Sequence, residues 1–202
     1  MNEMWKIEQS WFDRGVNLIC GVDEAGRGPL AGPVCAAAVI LPPDVQLPGL
    51  NDSKKLTDKR RRELFPLIKE QAIAYGIAMI DHKMIDEINI LQATMLAMKN
   101  AIAQLSVKPE LALIDGNRCS DFGVKAETVV HGDSLSASIA AASVLAKVTR
   151  DDYMLEMAQQ YPGYGFEIHK GYGTKAHYEA LRTLGVSPIH RMTFLRKFYG
   201  AE

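Results

Sequence analysis

The sequence predicts an α/β fold, in which helices pack against the faces of a sheet. Short apolar runs bounded by turn residues recur along the chain, and such runs are typical of buried strands. Between two of these runs lies a long segment with the apolar stripe of an amphipathic helix. With 202 residues, of which 48% are hydrophobic, the chain is long enough to form a proper core. We therefore expect a single domain over residues 1–202.

The first strand is predicted at Leu18–Val22, and two adjacent carboxylates, Asp23 and Glu24, follow it. Carboxylates are rarely buried alone because their desolvation is costly. We therefore expect both where the strand leaves the core, close to something positive. The next segment, Gly26–Gly28, has Arg27 at its centre, and glycine lets a backbone approach a ligand closely while an arginine fork suits phosphate. For one acidic pair considered alone, an exposed turn is the usual explanation.

A second strand is predicted at Pro33–Leu41, paired with the first. The glycines between the two strands loosely resemble a dinucleotide-binding loop. That loop must open a helix whose N-terminus holds the pyrophosphate. Pro29 and Pro33 bracket the place where such a helix would run, and a strand follows instead. The context excludes a dinucleotide site here.

The polar loop Leu50–Leu56 leads to Thr57, a residue type that caps helix N-termini. Cations in the first turns of a helix are disfavoured by the helix dipole. A phosphate chain passing nearby would offset this cost, and a merely solvated helix start explains the pattern equally well. The basic residues clustered here are Lys54, Lys55, Lys59, Arg60, Arg61 and Arg62.

A third strand is predicted at Ala74–Ile80, followed by an amphipathic helix that packs on the sheet. Methionines on its apolar stripe are expected to fill the core rather than to hold a cofactor. The stripe consists of Ile88, Leu91, Met95, Met98, Ile102 and Leu105.

Two further strands end near an aspartate. The segment Glu110–Gly116 is apolar up to Asp115, and the shorter run Thr128–Val130 precedes Asp133. A helix rich in alanine and serine is predicted over Ser134–Arg150, and its small side chains would let it lie close to the sheet. Considered locally, Asp133 is better explained as the N-cap of this helix or its neighbour. The predicted apolar stripe of the helix is Leu135, Ile139, Ala142 and Ala146.

The C-terminal part contains a turn-rich linker at Tyr161–Gly165, a predicted helix at Lys175–Leu184 and a last segment that begins at Ser187. The net charge of the whole chain is only −1, but residues 165–202 carry six basic and three acidic residues, a local charge of +3. Basic patches on a neutral protein suit a polyanion that is gripped locally, although a solvated surface explains any single patch. The basic residues are Lys170, Lys175, Arg182, Arg191, Arg196 and Lys197.

Composition also excludes several classes of protein. No run of residues reaches the apolar length that a membrane span needs, and the first residues lack the basic-then-apolar pattern of a secretory signal. Cys20, Cys35 and Cys119 are widely separated, which fits neither a disulfide framework nor a zinc site. We therefore expect a cytoplasmic protein that does not associate with a membrane.

The acidic residues at the strand ends predict a metal site. Together, Asp23, Glu24, Asp115 and Asp133 would place four carboxylates at one edge of the sheet, where they repel one another and need cations. All-oxygen ligands select hard ions such as Mg²⁺ or Mn²⁺. Two such ions about 3.5–4 Å apart can activate a water and stabilise the leaving oxygen of a phosphodiester. This arrangement predicts two-metal-ion hydrolysis.

At this point the chain resembles ribonuclease HII, the bacterial type 2 ribonuclease H family. The resemblance implies a ribonuclease H-like fold, which is a mixed five-stranded sheet with helices on both faces and a C-terminal helical part over about residues 152–202. The matching motifs occur in the family's order and span most of the chain. They are Asp23–Pro29, Asp52–Leu56, Leu113–Gly116, Gly132–Ser134, Ala141–Asp151 and His169–Thr174.

The resemblance further implies an endonuclease that hydrolyses the RNA strand of RNA/DNA hybrids and cuts 5′ of a ribonucleotide embedded in duplex DNA. It places the metal-binding, catalytic acids on the four carboxylates named above, with two Mg²⁺ or Mn²⁺ ions. Products with 3′-hydroxyl and 5′-phosphate ends are expected, because a metal-activated water is then the nucleophile. We also expect a monomer. The implied substrate-binding residues are Gly26, Arg27, Gly28, Lys54, Lys55 and Tyr172, the last of which senses the junction with DNA.

Two other functions fit parts of the pattern. A non-catalytic module that binds RNA/DNA hybrids would keep the basic loops and could lose a carboxylate, yet all four are present. A metal-dependent phosphatase would not need the Gly-Arg-Gly loop. The chain also departs from many bacterial members of the family at Met192, where they have arginine. We therefore expect weaker phosphate contacts near the C-terminus.

Overall fold

A computed structural model describes residues 3–43 and 45–200, so both ends of the domain predicted over 1–202 lie outside the described residues. Its strands are β1 (Ile19–Ala25), β2 (Val34–Ile40), β3 (Ala74–Ile80), β4 (Leu111–Asp115) and β5 (Ala126–Val129). They form one sheet in the order β3-β2-β1-β4-β5. The β1–β2 and β2–β3 pairs are antiparallel, while β1–β4 and β4–β5 are parallel. The predicted mixed five-stranded sheet is confirmed.

Helices cover both faces of this sheet, as predicted. One face packs against α3 (His82–Ala103), and the other packs against α2 (Asp58–Gln71) and α4 (Ala137–Gln160), with a separate apolar core on each side. No helix in the described part of the chain is long and apolar enough to cross a membrane. The helices are α1 (Lys6–Phe12), α2 (Asp58–Gln71), α3 (His82–Ala103), α4 (Ala137–Gln160), α5 (Phe166–His169) and α6 (Lys175–Leu184). Short 3₁₀ turns lie at Glu3–Trp5, Gly132–Ser134 and Met192–Leu195.

Strand β1 runs farther than the apolar pattern predicts. Asp23 and Glu24 lie inside the strand rather than after it, because pairing with β2 continues as far as Ala25, which lies opposite Cys35. As a result, the side chain of Asp23 is buried with only 3% exposure. The expectation that both carboxylates lie where the strand leaves the core is wrong for Asp23, and the buried charge makes this position unusual.

Helix α4 packs directly on β1, as its small residues predict. A Cβ atom at Gly21 would overlap the backbone of Ser138 and Ile139 at the start of the helix. The helix begins at Ala137, three residues after the predicted start at Ser134, because the hydroxyl of Ser136 caps it by accepting the amide of Ile139. Asp133 is therefore not the N-cap, and Leu135, which was placed on the apolar stripe, lies outside the helix with 47% exposure.

The apolar stripe predicted for α3 is partly wrong. Met98 and Ile102 are buried, but Leu105 lies beyond the end of the helix. Asn89, whose backbone has a φ of 66°, interrupts the helix just before Leu91, and Leu91 is not part of the observed buried face. The side-chain oxygen of Asn89 accepts the amides of the next turn. The observed buried face consists of Ile85, Ala93, Thr94, Ala97, Met98, Ala101 and Ile102.

The arginines of the first basic cluster are mostly used inside the protein. Thr57 caps α2, as predicted, by accepting the amide of Arg60. The guanidinium groups then find partners within the chain, which offsets the unfavourable helix dipole without any phosphate. Arg60 contacts Glu63, Arg61 donates to the carbonyls of Ser53 and Leu56, and Arg62 pairs with Asp58 and Asp152.

Three buried histidines hold the C-terminal part together: His169, His177 and His190. Nδ1 of His177 lies 2.9 Å from the carbonyl of Tyr172, so it carries the hydrogen, because a carbonyl only accepts. Its Nε2 then accepts from Nε2 of His190 at 3.0 Å. Nδ1 of His190 in turn accepts the amide of Ser187 at 2.9 Å. This chain of hydrogen bonds requires neutral rings.

We predict that acid weakens the fold through these histidines. Burial lowers the pKa of both His177 and His190 to about 4, whereas an unfolded histidine has a pKa of about 6.5. Between these values the unfolded chain binds more protons, so the free energy of unfolding falls as the pH drops from about 6.5 to about 4. Urea unfolding across this window should show a shallower dependence on pH in His177→Gln. An identical dependence of the unfolding free energy on pH in the two proteins would contradict the role assigned to His177.

Candidate functional site

Three aspartates meet at one edge of the sheet. Parallel pairing of β1 with β4 aligns Val22 with Ile114, so Asp23 and Asp115 follow side by side. Asp133 comes from the 3₁₀ turn after β5, not from a strand end, and this turn is tied to the site because the amide of Gly132 donates to Oδ1 of Asp115 at 2.8 Å. One carboxylate oxygen from each aspartate lies within 4.8 Å of the others. The topology thus produces the predicted cluster, though by a different route for Asp133.

Glu24 lies beside the cluster of three rather than in it. Successive side chains of a strand point to opposite faces, and Glu24 is still within β1. Its carboxylate lies 3.6 Å from the guanidinium of Arg27, and its backbone amide donates to Oδ1 of Asp23 at 2.7 Å. Glu24 nevertheless lines the same cavity as Asp23 and Asp115. The structure therefore separates the four predicted acids into three converging aspartates and one glutamate at their margin.

Burial and mutual repulsion disfavour full ionisation of the clustered carboxylates. Burial, followed by the charges of Glu24 and Asp115, raises the pKa of Asp23 well above its ordinary value. Burial also raises the pKa of Glu24 and of Asp115. The nearest ammonium is Lys54, 3.2 Å from Asp133. Although burial lowers the pKa of Lys54, the charge and hydrogen bond of Asp133 more than offset this and raise it.

The donor set fits a hard divalent cation. All three converging groups offer oxygen, which Mg²⁺ and Mn²⁺ prefer. Oxygens on opposite sides of one Mg²⁺ are about 4.1 Å apart, so a separation of up to 4.8 Å requires only small side-chain rotations. A cation would also remove the repulsion that raises the pKa of Asp23. Asp23, Asp115 and Asp133 are therefore the residues that would hold a metal ion.

We predict that Mg²⁺ or Mn²⁺ raises the melting temperature by about 3–6 °C at tenfold excess over the dissociation constant. In Asp115→Asn this rise should disappear. The metal-free variant should be at least as stable as the original protein near neutral pH, because a carboxylate with a raised pKa destabilises the fold as the pH rises through that pKa. Melting curves with chelator and with each ion measure both effects. An unchanged metal-induced shift in Asp115→Asn would contradict the assignment.

A cavity of about 210 Å³ joins the carboxylates to the predicted substrate-binding residues. Lys55 is directed differently, because its ammonium donates to the hydroxyl of Ser134 at 3.1 Å. Ser53 and Lys147 also line the cavity and were missed as site residues, although both lie in motifs that the sequence singled out. The lining residues are Asp23, Glu24, Ala25, Gly26, Arg27, Gly28, Ser53, Lys54, Asp115, Lys147 and Tyr172.

Tyr172 presents its ring to this cavity. The side chain is 44% exposed, and a Cβ atom at Gly28 would lie 3.6 Å from Cε1 of Tyr172, so the ring covers the Gly26–Gly28 loop. Within residues 3–43 and 45–200, no group forms a hydrogen bond with its hydroxyl. The structure therefore does not show the Tyr172 hydroxyl joining two loops, as it would in a purely structural role.

The prediction that the C-terminal segment forms a basic surface is wrong for Arg191. Its side chain is fully buried, and its guanidinium donates to backbone carbonyls of the loop between β1 and β2. Arg182 pairs with Glu179. Fewer cations are therefore free to meet a polyanion than the local charge of this segment indicated. Met192, by contrast, is half exposed at 50%.

Comparisons with known proteins point to one family. Residues 20–197 match the family model described as ribonuclease HII. The chain is 55% identical over 194 residues to ribonuclease HII of Endomicrobium trichonymphae, covering 96% of this chain and 92% of the relative. It is 56% identical over 191 residues to ribonuclease HII of Geobacter sulfurreducens, covering 95% and 88%. The crystal structure of ribonuclease H2 from Pyrococcus horikoshii superposes with a TM-score of 0.75 at 27% identity, covering 90% of this chain and 97% of that one.

Proposed function

Because the chain belongs to the ribonuclease HII family and is a metal-dependent hydrolase of the ribonuclease H type, we propose that it cuts duplexes at ribonucleotides in two contexts. It hydrolyses the RNA strand of RNA/DNA hybrids, and it cuts on the 5′ side of a single ribonucleotide embedded in duplex DNA. The observation that carries the proposal is one cavity shared by Asp23, Asp115, the Gly26–Gly28 loop and Tyr172. The carboxylates and the residues proposed to recognise the sugar would then lie within reach of one phosphodiester.

The carboxylates of the cluster would contribute to catalysis by binding metal ions and fixing their positions. Two Mg²⁺ or Mn²⁺ ions, held by Asp23, Asp115 and Asp133 with Glu24 at the margin, would supply an activated water and stabilise the leaving oxygen. Asp115 also fixes the turn that carries Asp133, through the amide of Gly132. Arg27 holds the carboxylate of Glu24 at the cavity. Each carboxylate is thus held in place by strand pairing, a backbone amide or an arginine.

Lys54 and Lys55 are proposed to contact the phosphates of the substrate. The side chain of Lys54 is 75% exposed although its ammonium lies 3.2 Å from Asp133. Once divalent cations neutralise Asp133, this ammonium is free to pair with a phosphate instead. Lys55 lies one residue further along the same loop, where its ammonium reaches the hydroxyl of Ser134. The two lysines would follow the backbone of the cleaved strand.

Recognition of a single ribonucleotide depends on its 2′-hydroxyl, which both donates and accepts hydrogen bonds. Backbone groups of Gly26, Arg27 and Gly28 can reach this hydroxyl because the glycines leave no side chain in the way. The following deoxyribose needs a surface that a second 2′-hydroxyl would crowd. The exposed ring of Tyr172 above Gly28 is suited to that role.

A panel of duplexes of one sequence tests the proposal. In Mg²⁺ or Mn²⁺ we predict cleavage of an RNA/DNA hybrid and of a DNA duplex that carries one ribonucleotide, with no cleavage of the all-DNA duplex. Chelator should stop both reactions. An embedded-ribonucleotide duplex that stays intact while the hybrid is cut would contradict the second activity. If the protein bound both duplexes but cut neither in either ion, a non-catalytic binding module would be the correct function.

We further propose that the protein acts as a monomer in the cytoplasm. Cys20 and Cys35 are buried free thiols and Cys119 is an exposed one, which is common for a protein kept in a reducing compartment. Light scattering at increasing protein concentration would contradict the monomer if the mass doubled.

A further inference from the structure

The Gly26–Gly28 loop is held from behind by Arg191. The guanidinium of this buried residue donates to three backbone carbonyls: Gly26 at 2.7 Å, Arg27 at 3.0 Å and Gly32 at 2.9 Å. No carboxylate in the described residues lies within ion-pair distance of it. A buried cation is costly unless it is hydrogen-bonded, and here each of the three guanidinium nitrogens donates to a carbonyl of a single loop.

The position of Arg191 is fixed by backbone pairing as well. Its amide donates to the carbonyl of Leu30 at 2.8 Å, and the preceding residue, His190, forms a β-bridge with Ala31. The carbonyl of Ile189 accepts the amide of Gly32 at 2.9 Å. The guanidinium therefore reaches the loop from a segment that is itself paired to the same loop.

The carbonyl directions determine where the amides of the loop point. All peptide bonds of the described residues are trans, and in a planar trans peptide the C=O of one residue and the N–H of the next point in opposite directions. Because Arg191 takes the carbonyls of Gly26 and Arg27, the N–H groups of Arg27 and Gly28 point away from it. Neither amide has an acceptor among residues 3–43 and 45–200. Both residues line the cavity.

A second buried arginine, Arg150, supports the same loop and joins it to the Tyr172 segment. It donates to the carbonyls of Pro33 at 2.9 Å and Lys170 at 3.1 Å. A Cβ atom at Gly26, whose φ is +96°, would overlap the side chain of Arg150, so the loop rests directly on it. Its guanidinium carbon also lies 5.9 Å from the centre of the Tyr172 ring.

We propose that Arg191 is the positioning residue for ribonucleotide recognition: it directs the amides of Arg27 and Gly28 toward the 2′-hydroxyl of the substrate. The proposal rests on the function proposed above. Arg191 does not touch the substrate and acts only through the loop. The C-terminal segment, which the sequence marked as a basic surface for phosphate, thereby determines which sugar is accepted.

The test compares binding of two duplexes of identical sequence, one with a single ribonucleotide and one entirely of DNA, in Ca²⁺ so that turnover is slow. Arg191→Lys keeps the charge but loses the planar fork that reaches three carbonyls. We expect its preference for the ribonucleotide duplex to fall about tenfold, as the loss of two aligned hydrogen bonds implies, with affinity for the all-DNA duplex nearly unchanged. Met98→Ala, which removes a buried side chain from α3, is the control. It should lower the melting temperature and keep the preference.

If Arg191→Lys fails to fold, amide hydrogen exchange measured on the unaltered protein provides a second test. The amides of Arg27 and Gly28 should exchange rapidly with solvent in the free protein. They should become protected by the ribonucleotide duplex but not by the DNA duplex. A folded Arg191→Lys that keeps the original preference would overturn the proposal for Arg191 and leave the proposed function intact. Amides of Arg27 and Gly28 that stay unprotected in both complexes would do the same. If the unaltered protein bound both duplexes equally, the proposed function would fail, and the proposal with it.

Discussion

Asp23→Asn should lower turnover on every substrate by on the order of 10³-fold or more, because it removes charge from the site at which transition-state charge is stabilised. Asp23 is the most deeply buried member of the cluster, and the other two aspartates converge on it. Asparagine has nearly the same shape, so the strand and its hydrogen bonds should persist. Steady-state cleavage of a hybrid in Mg²⁺ measures the loss.

Binding provides the control for this variant. Substrate affinity in Ca²⁺ should change little in Asp23→Asn, because it depends on the lysines and the Gly26–Gly28 loop. Asp121→Asn, on an exposed loop that neither belongs to the cluster nor lines its cavity, should retain full turnover. If Asp23→Asn cleaved at a near-normal rate in Mg²⁺, the metal-binding role of the cluster would be wrong.

The second large effect is expected for Tyr172→Ala. Cleavage at a single embedded ribonucleotide should fall by about 10–100-fold, the range expected for loss of an aromatic stacking surface. Cleavage of a long RNA/DNA hybrid should fall less, because a hybrid offers no deoxyribose after the cleaved position in its RNA strand. The two rates are compared as kcat/KM on substrates of equal length.

Tyr172→Phe separates the ring from its hydroxyl. Because the hydroxyl has no hydrogen-bond partner in the described residues, the phenylalanine variant should behave like the original protein on both substrates. Equal losses on the two substrates in Tyr172→Ala would leave the ring as general support for the Gly26–Gly28 loop. The junction-sensing role would then be abandoned.

Periodicity and strand ends predicted much of this fold. The bounds of β3 and α6 match those predicted, and Asp23 converges with Asp115 because the parallel pairing of β1 with β4 sets the two residues side by side. The pattern failed where a single side chain overrides local preference. Asn89 adopts a backbone φ of 66° that interrupts α3, and no spacing of apolar residues records such a kink.

Charge was harder to interpret than hydrophobicity. An arginine in a basic segment looks the same in sequence whether it faces solvent or the interior, and Arg191 is buried among carbonyls that are distant in the chain. Likewise, nothing in the sequence indicates that β1 continues through both Asp23 and Glu24. Because it does, their side chains point to opposite faces of the strand, and Glu24 lies beside the aspartate cluster. Both outcomes depend on tertiary pairing.

The chemistry of the product ends tests the central claim most directly. In this mechanism a metal-activated water attacks the phosphorus, and the ribose 2′-hydroxyl is only recognised. A DNA duplex with one ribonucleotide, cut in Mg²⁺, should therefore yield a 3′-hydroxyl on the upstream fragment and a 5′-phosphate on the ribonucleotide, which mass spectrometry of both fragments resolves. A 2′,3′-cyclic phosphate would show that the 2′-hydroxyl is the nucleophile and would contradict metal-assisted hydrolysis at the aspartate cluster.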